Sequence, residues 1–202
     1  MKGKFSVLSL ALALGLAACN NGGSDSKTTS TDPHEGHDHS AQTAASTPHT
    51  QTPPPAQPEE QDPAASIPDF KFYKVKSGFG FEKSDIPSSK NTVFILFDPS
   101  CGHCQQETQA LAKNYEKIKD VNLLYISMND PGLMVNFLPS FGKELDGKSN
   151  VEVLYDRDQE FIRKFHIPKM FPANYVYGAD GNLKTYWVGE KNIDDILKAF
   201  VQ

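Results

Sequence analysis

Cys101-Gly102-His103-Cys104 places two thiols three positions apart with an imidazole between them. On one turn of helix, a thiolate at the first position can attack a disulfide, and the second thiol, on the same face, can attack back and release the mixed disulfide. Cys101 is then the attacking residue and Cys104 the resolving one. A protonated or strongly polarised His103 stabilises the thiolate further and makes the disulfide form more oxidising. Two other uses of such a pair exist. A structural zinc site needs three or four ligands, and the sequence has no second cysteine pair. A static disulfide closing so small a loop constrains little of the unfolded chain. The one further cysteine, Cys19, lies far from the pair in sequence.

The elements that must position this pair are legible around it. Thr92 to Phe97 is a continuous apolar, β-branched run of the kind that forms a strand covered on both faces, and Asp98-Pro99-Ser100 follows it. Downstream, Cys104, Thr108, Leu111, Tyr115 and Ile118 fall at helical spacing and give a helix one buried stripe. Val121 to Ser127 reads as a second buried strand. Strand, helix and strand at this spacing predict a right-handed βαβ unit with the cysteines at the first strand-to-helix junction. There the unpaired first-turn N–H groups and the positive end of the helix dipole favour a thiolate at Cys101. Upstream, Phe70 to Val75 and Gly78 to Phe81 read as a hairpin. Downstream, Pro131 to Asp146 reads as helical, Val151 to Tyr155 as a strand and Asp158 to Phe165 as a short helix. The last helix, Asn192 to Val201, presents Ile193, Ile196, Leu197 and Phe200 on one side.

With strand, cysteine pair and helix in this order, residues 66–202 resemble thioredoxin-like thiol-disulfide oxidoreductases, most closely the exported TlpA/ResA-like redoxin branch. The resemblance implies an α/β thioredoxin fold with an inserted strand-helix element, an N-terminal β-hairpin and a mixed central sheet flanked by helices. It also implies a redox-active Cys101–Cys104 disulfide as the only redox group, with no separate cofactor and no metal. Glu107 stands where the branch has the acid of its Cys-x-x-Cys-x-x-Glu pattern, and the resemblance implies that its carboxylate handles protons near the buried cysteine. The segment from Lys169 to Leu183 looks like the family's proline, strand, Asp-Gly turn and strand. Carried over, Pro172 is cis and shapes the site, and Phe171 helps bind substrate through its backbone. The sequence departs from the branch at Ser100, where many relatives have Trp, and at Gly102-His103, where x-Pro is usual. Cys-Gly-His-Cys instead looks like the site of protein disulfide isomerases, which leaves the direction of electron flow open. The strand Val93 to Phe97 lacks the buried acid of thioredoxin itself, which gives Glu107 more weight as proton carrier. His166 reads as a surface or half-buried residue, not a ligand.

Residues 1–65 have a different character. Met1 to Ala18 has a basic start at Lys2 and Lys4, an apolar run from Phe5 to Leu16 and small residues before Cys19. This is the pattern of an export signal. Leu16-Ala17-Ala18-Cys19 resembles the lipobox of bacterial lipoproteins, which implies cleavage after residue 18 and lipidation of Cys19. Between Asn20 and Ser66 there is no Phe, Tyr or Trp, although the chain has 13 Phe and 7 Tyr, so residues 19–65 read as a disordered, lipid-anchored tether. A coil of that length reaches roughly 40 Å. Its seven acids, Asp25, Asp32, Glu35, Asp38, Glu59, Glu60 and Asp62, face Lys27 alone, so the tether is at −6 while the whole chain is at −5. The nearly neutral domain has no electrostatic footprint for nucleic acid.

These readings place the domain in the bacterial cell envelope, outside the cytoplasm and on a membrane. The expected partners are thiols and disulfides of exported proteins and a membrane redox partner. A rival reading is a copper or zinc handler: His34, Glu35, His37, Asp38 and His39 load the metal and the cysteine pair holds it. A peroxidase is a third, ranked below both because no Thr-x-x-Cys precedes Cys101.

Overall fold

The computed structural model describes residues 61–202. The export signal, Cys19 and the histidine tract lie outside the described residues. The hairpin is present as β1 (Lys71–Lys74) and β2 (Gly80–Glu82), paired antiparallel with Phe72 opposite Phe81. The apolar run forms β3 (Thr92–Leu96), every residue of which is buried. After it come α1 (Gly102–Lys113), a short α2 (Tyr115–Ile118) and β4 (Asn122–Ser127), which lies parallel to β3. The expected βαβ unit is therefore formed, with one difference. Asn114 leaves helical geometry at φ −111° and ψ 18°, so Tyr115 and Ile118 sit on a separate turn.

The segment from Pro131 to Asp146 is not one helix but two short ones, α3 (Pro131–Met134) and α4 (Phe137–Phe141), followed by turns. Local chemistry explains the break. Asp130 caps α3 by accepting from the Gly132 N–H at 2.6 Å. Pro139 has no N–H to extend a ladder, and Gly142 ends α4 at φ −142°. Then follow β5 (Val151–Tyr155), α5 (Glu160–Lys164), β6 (Ala173–Tyr177), β7 (Leu183–Val188) and α6 (Ile193–Val201). α5 is capped by Asp156, which is fully buried and accepts from the N–H groups of Glu160 and Phe161, each at 2.8 Å.

The seven strands form one mixed sheet in the order β2-β1-β5-β4-β3-β6-β7, with β3, β4 and β5 parallel and the other pairs antiparallel. Alternation along the strands divides the core between two faces. On one, Val93, Ile95, Tyr125 and Val176 pack beneath Cys104 and Leu111 of α1 and Ile196 and Phe200 of α6. On the other, Phe94 lies 5.8 Å from Phe70, 5.0 Å from Phe165 and 5.6 Å from Tyr177, ring to ring. Each such side chain contributes roughly 2 kcal/mol through burial. The backbone joins this core before the first strand, since Ala64 N–H donates to the Phe165 carbonyl and Leu183 N–H to that of Ala65.

His166 differs from its reading as a surface or half-buried residue. It is only 8% exposed, because α5 ends on the buried Phe165 and carries the next residue inward. Its Nδ1 lies 2.7 Å from the Tyr175 hydroxyl and its ring packs edge-on to Tyr175 and Tyr186. Tyr175 belongs to the core on the face away from Cys104. Among the described residues, no three His, Cys, Asp or Glu side chains are grouped to hold a metal ion. Nor, among these residues, is any helix long and apolar enough to cross a membrane.

Candidate active site

β3 ends inside the sheet, between β4 and β6, and the chain must turn from it into α1 within a few residues. Asp98 makes that turn. Its carboxylate accepts from the Ser100 N–H at 2.8 Å and the Ser100 hydroxyl at 2.6 Å, while its carbonyl accepts from the Cys101 N–H at 3.0 Å. Cys101 is thereby held as the N-cap of α1, in extended geometry at φ −76° and ψ 119°. The side chain is half-buried, and its Sγ lies 4.0 Å from the Phe171 carbonyl oxygen. Both cysteines are thiols. The helix carries Cys104 three residues further and inward, to 2% exposure. This is the asymmetry that a reactive and a resolving thiol require: one open to a partner, the other covered.

Burial pushes the Cys104 thiol well above its ordinary range. An N–H from Asp98 works against the shift, and the neighbouring Cys101 and Glu107 add to it. Glu107 is half-buried on the same helix, and burial raises its carboxyl from 4.5 to about 7. The Asn174 amide opposes that rise by donating from Nδ2 to both carboxylate oxygens, at 3.0 and 3.2 Å. Tyr125 of β4 is fully buried, and its phenol is pushed up by burial, with Glu107 and Cys104 contributing.

The Phe171–Pro172 peptide is cis, as the resemblance implies. The Pro172 carbonyl accepts from the Gly189 N–H at 2.7 Å, which ties the start of β6 to the turn after β7. Gly189 is required there. It has φ +78°, and a Cβ would stand 2.7 Å from the Met170 sulfur. The turn delivers Glu190 to the exposed His103, with Nδ1 and Oε1 2.6 Å apart. His103, Glu107, Pro172, Glu190 and Lys191 line a cleft of about 140 Å³ between α1 and the start of α6.

The structure thus brings Cys101, His103, Cys104, Glu107, Phe171 and Pro172 to one place. Sequence reasoning did not find Asn174 or Glu190. Glu190 reaches His103 across 87 residues, and no local pattern marks such a pair. Asn174 does carry a signal: it is an amide two residues after the proline, inside a strand otherwise rich in aromatic and β-branched residues.

The chain is similar in fold to solved thioredoxin-like proteins. A secreted Mycobacterium tuberculosis disulfide oxidoreductase homologous to E. coli DsbE shares 22% identity over 65% of this chain and 93% of its own, with a TM-score of 0.54. A SCO1/SenC family lipoprotein from Bacillus anthracis shares 19% over 70% and 96%, with a TM-score of 0.52. Arabidopsis thaliana ScoI, solved with copper bound, shares 15% over 67% and 98%, with a TM-score of 0.51. No curated protein matches the sequence. The AhpC/TSA family profile covers residues 63–186, from the buried Pro63 into β7. The chain belongs to the AhpC/TSA family, and its domain is a thioredoxin-like redoxin.

Proposed function

We propose that this protein is a thiol-disulfide oxidoreductase of the bacterial cell envelope, anchored through a lipidated Cys19 and exchanging disulfides with exported proteins. One observation carries the reading. The accessible Cys101 caps α1 beside the Phe171 carbonyl, while Cys104 is buried next to a carboxylate that titrates near neutrality. In the reducing direction, the Cys101 thiolate attacks one sulfur of a client disulfide. The client S–S bond breaks, its other sulfur leaves as a thiolate and takes a proton from solvent, and a Cys101–client disulfide forms. Cys104 then passes its proton to Glu107 and attacks the Cys101 sulfur. The mixed disulfide breaks, its client sulfur leaves as a thiolate and takes a proton from solvent, so that the client departs as a dithiol; Glu107 returns its proton to solvent, and the pair is left oxidised by two electrons, to be reduced by a membrane redox partner. The oxidising direction is the reverse. Phe171 offers its backbone to the client chain and Pro172 shapes the groove. His103, paired with Glu190, tunes the balance between the two forms.

A Cys104→Ser variant should accumulate mixed disulfides with client proteins through Cys101, and a Cys101→Ser control should not. Equal yields from the two would overturn the assigned roles.

Copper or zinc handling is supported by the fold shared with copper-bound ScoI and by the sequence His34 to His39. Against it, no third metal-binding side chain joins Cys101 and Cys104 among the described residues. Peroxide reduction, suggested by the family, lacks support at the site because Asp98 stands three residues before Cys101 in place of a threonine.

A further inference from the structure

Asn174 is the one fully buried side-chain amide beside the cysteine pair whose presence packing does not explain. It lies on β6 between Ile95 of β3 and Trp187 of β7, with no exposed surface. Its neighbours on the same face of the sheet are the apolar Ile95 and Val176 and the ring of Trp187, whose buried Nε1 has no hydrogen-bond partner in the protein. An amide moved from water to such a place loses hydration, and the loss is recovered only through hydrogen bonds. Oδ1 of Asn174 has no hydrogen-bond partner in the protein, so the bonds from Nδ2 to Glu107 are what its side chain gains. A branched apolar residue would fill the position without this cost. The amide therefore serves the carboxylate.

We propose that Asn174 is the positioning residue for Glu107, holding its carboxylate on the sheet beneath α1 so that it takes the proton of Cys104 during resolution. This rests on the reading of Glu107 given above. The geometry restrains two things at once. Because β6 is paired on both sides, the donor cannot follow the acid if α1 shifts. Because Nδ2 reaches both oxygens, it meets the carboxylate head-on and favours its ionised form. The other groups facing Glu107 do not supply this restraint. Cys104 shares its helix, Tyr125 approaches from β4, and His103, Glu190 and Lys191 stand around the cleft. Among the described residues, the side chain that donates to the carboxylate is that of Asn174.

The test is the rate at which the Cys101 mixed disulfide with a small thiol is resolved, followed from pH 5 to 9 in the wild type, Asn174→Ala and Glu107→Gln. Loss of a hydrogen bond to a charged acceptor should move the Asn174→Ala midpoint up by about one unit or more, slowing resolution at pH 7 roughly five-fold. An unmoved midpoint in Asn174→Ala, alongside an altered profile in Glu107→Gln, would overturn the role of Asn174 and leave that of Glu107 standing. If Glu107→Gln also matches the wild type, the reading of Glu107 fails as well. In the wild type, where folding is not in question, the Asn174 side-chain amide resonances should titrate with the Glu107 carboxyl. Amide resonances constant across that range would refute the contact.

Discussion

Replacing Glu107 by Gln keeps the shape of the side chain and an oxygen for the Asn174 amide, but removes the charge. In the folded protein the carboxyl titrates near 7, against an ordinary value of 4.5. The folded state thus holds the proton more tightly than the unfolded one. This contribution to stability is complete below 4.5 and is lost as pH rises through the interval to about 7. Above 7 the wild type carries the full cost of an ionised carboxylate in this site, at most about 3 kcal/mol. Glu107→Gln should therefore match the wild type at pH 4 and exceed it at pH 8.5 by up to roughly 10 °C in Tm. The same variant should be slower at resolution. A thiol at its ordinary value of 9.0 is about 1% ionised at pH 7, and burial lowers that fraction for Cys104. Glu107, about half ionised at pH 7, supplies the missing base, and its loss should cost about 100-fold or more. Thermal melts at four pH values and stopped-flow resolution of a mixed disulfide read the two effects. Parallel Tm curves for variant and wild type would refute the raised carboxyl, and equal resolution rates would refute its use as a base.

Replacing His103 by Pro removes the pair with Glu190 and gives the x-Pro usual between the cysteines of the resembled branch, so the potential of the pair should fall by tens of mV in a glutathione titration. Asp156→Ala leaves two N–H groups at the start of α5 without their acceptor, one of them on the buried Phe161, and should cost about 2 kcal/mol in urea unfolding. Competition for Cu(I) should show the reduced domain losing to thiol buffers, and stoichiometric copper retained through Cys101 and Cys104 would favour the metal-handling reading.

What the sequence made legible was set by local periodicity. The stripe from Cys104 to Leu111 and the apolar side of α6 follow from side chains recurring at the helical period, and β3 from an unbroken apolar run that fits a strand covered on both faces. The cysteine pair, Glu107 and the Phe171–Pro172 step were found because short spacings carry them. The division of Pro131 to Asp146 into two helices depends on Asn136, Pro139 and Gly142, whose local preferences override an apolar pattern. His166 is drawn inside by its neighbour Phe165, although its own polarity favours the surface. Asn174 and Glu190 act through partners 67 and 87 residues away. Only the sheet order, with β6 placed beside β3, brings those partners together.

Cys101 and Cys104 should cycle between dithiol and disulfide, a behaviour that their reduction potential reports. Titration of the wild-type domain in glutathione buffers, with alkylation and mass measurement of both residues, should give one reversible two-electron transition between about −270 and −120 mV. A pair that stays oxidised below about −300 mV, as structural disulfides do, or that never forms a disulfide, would contradict it.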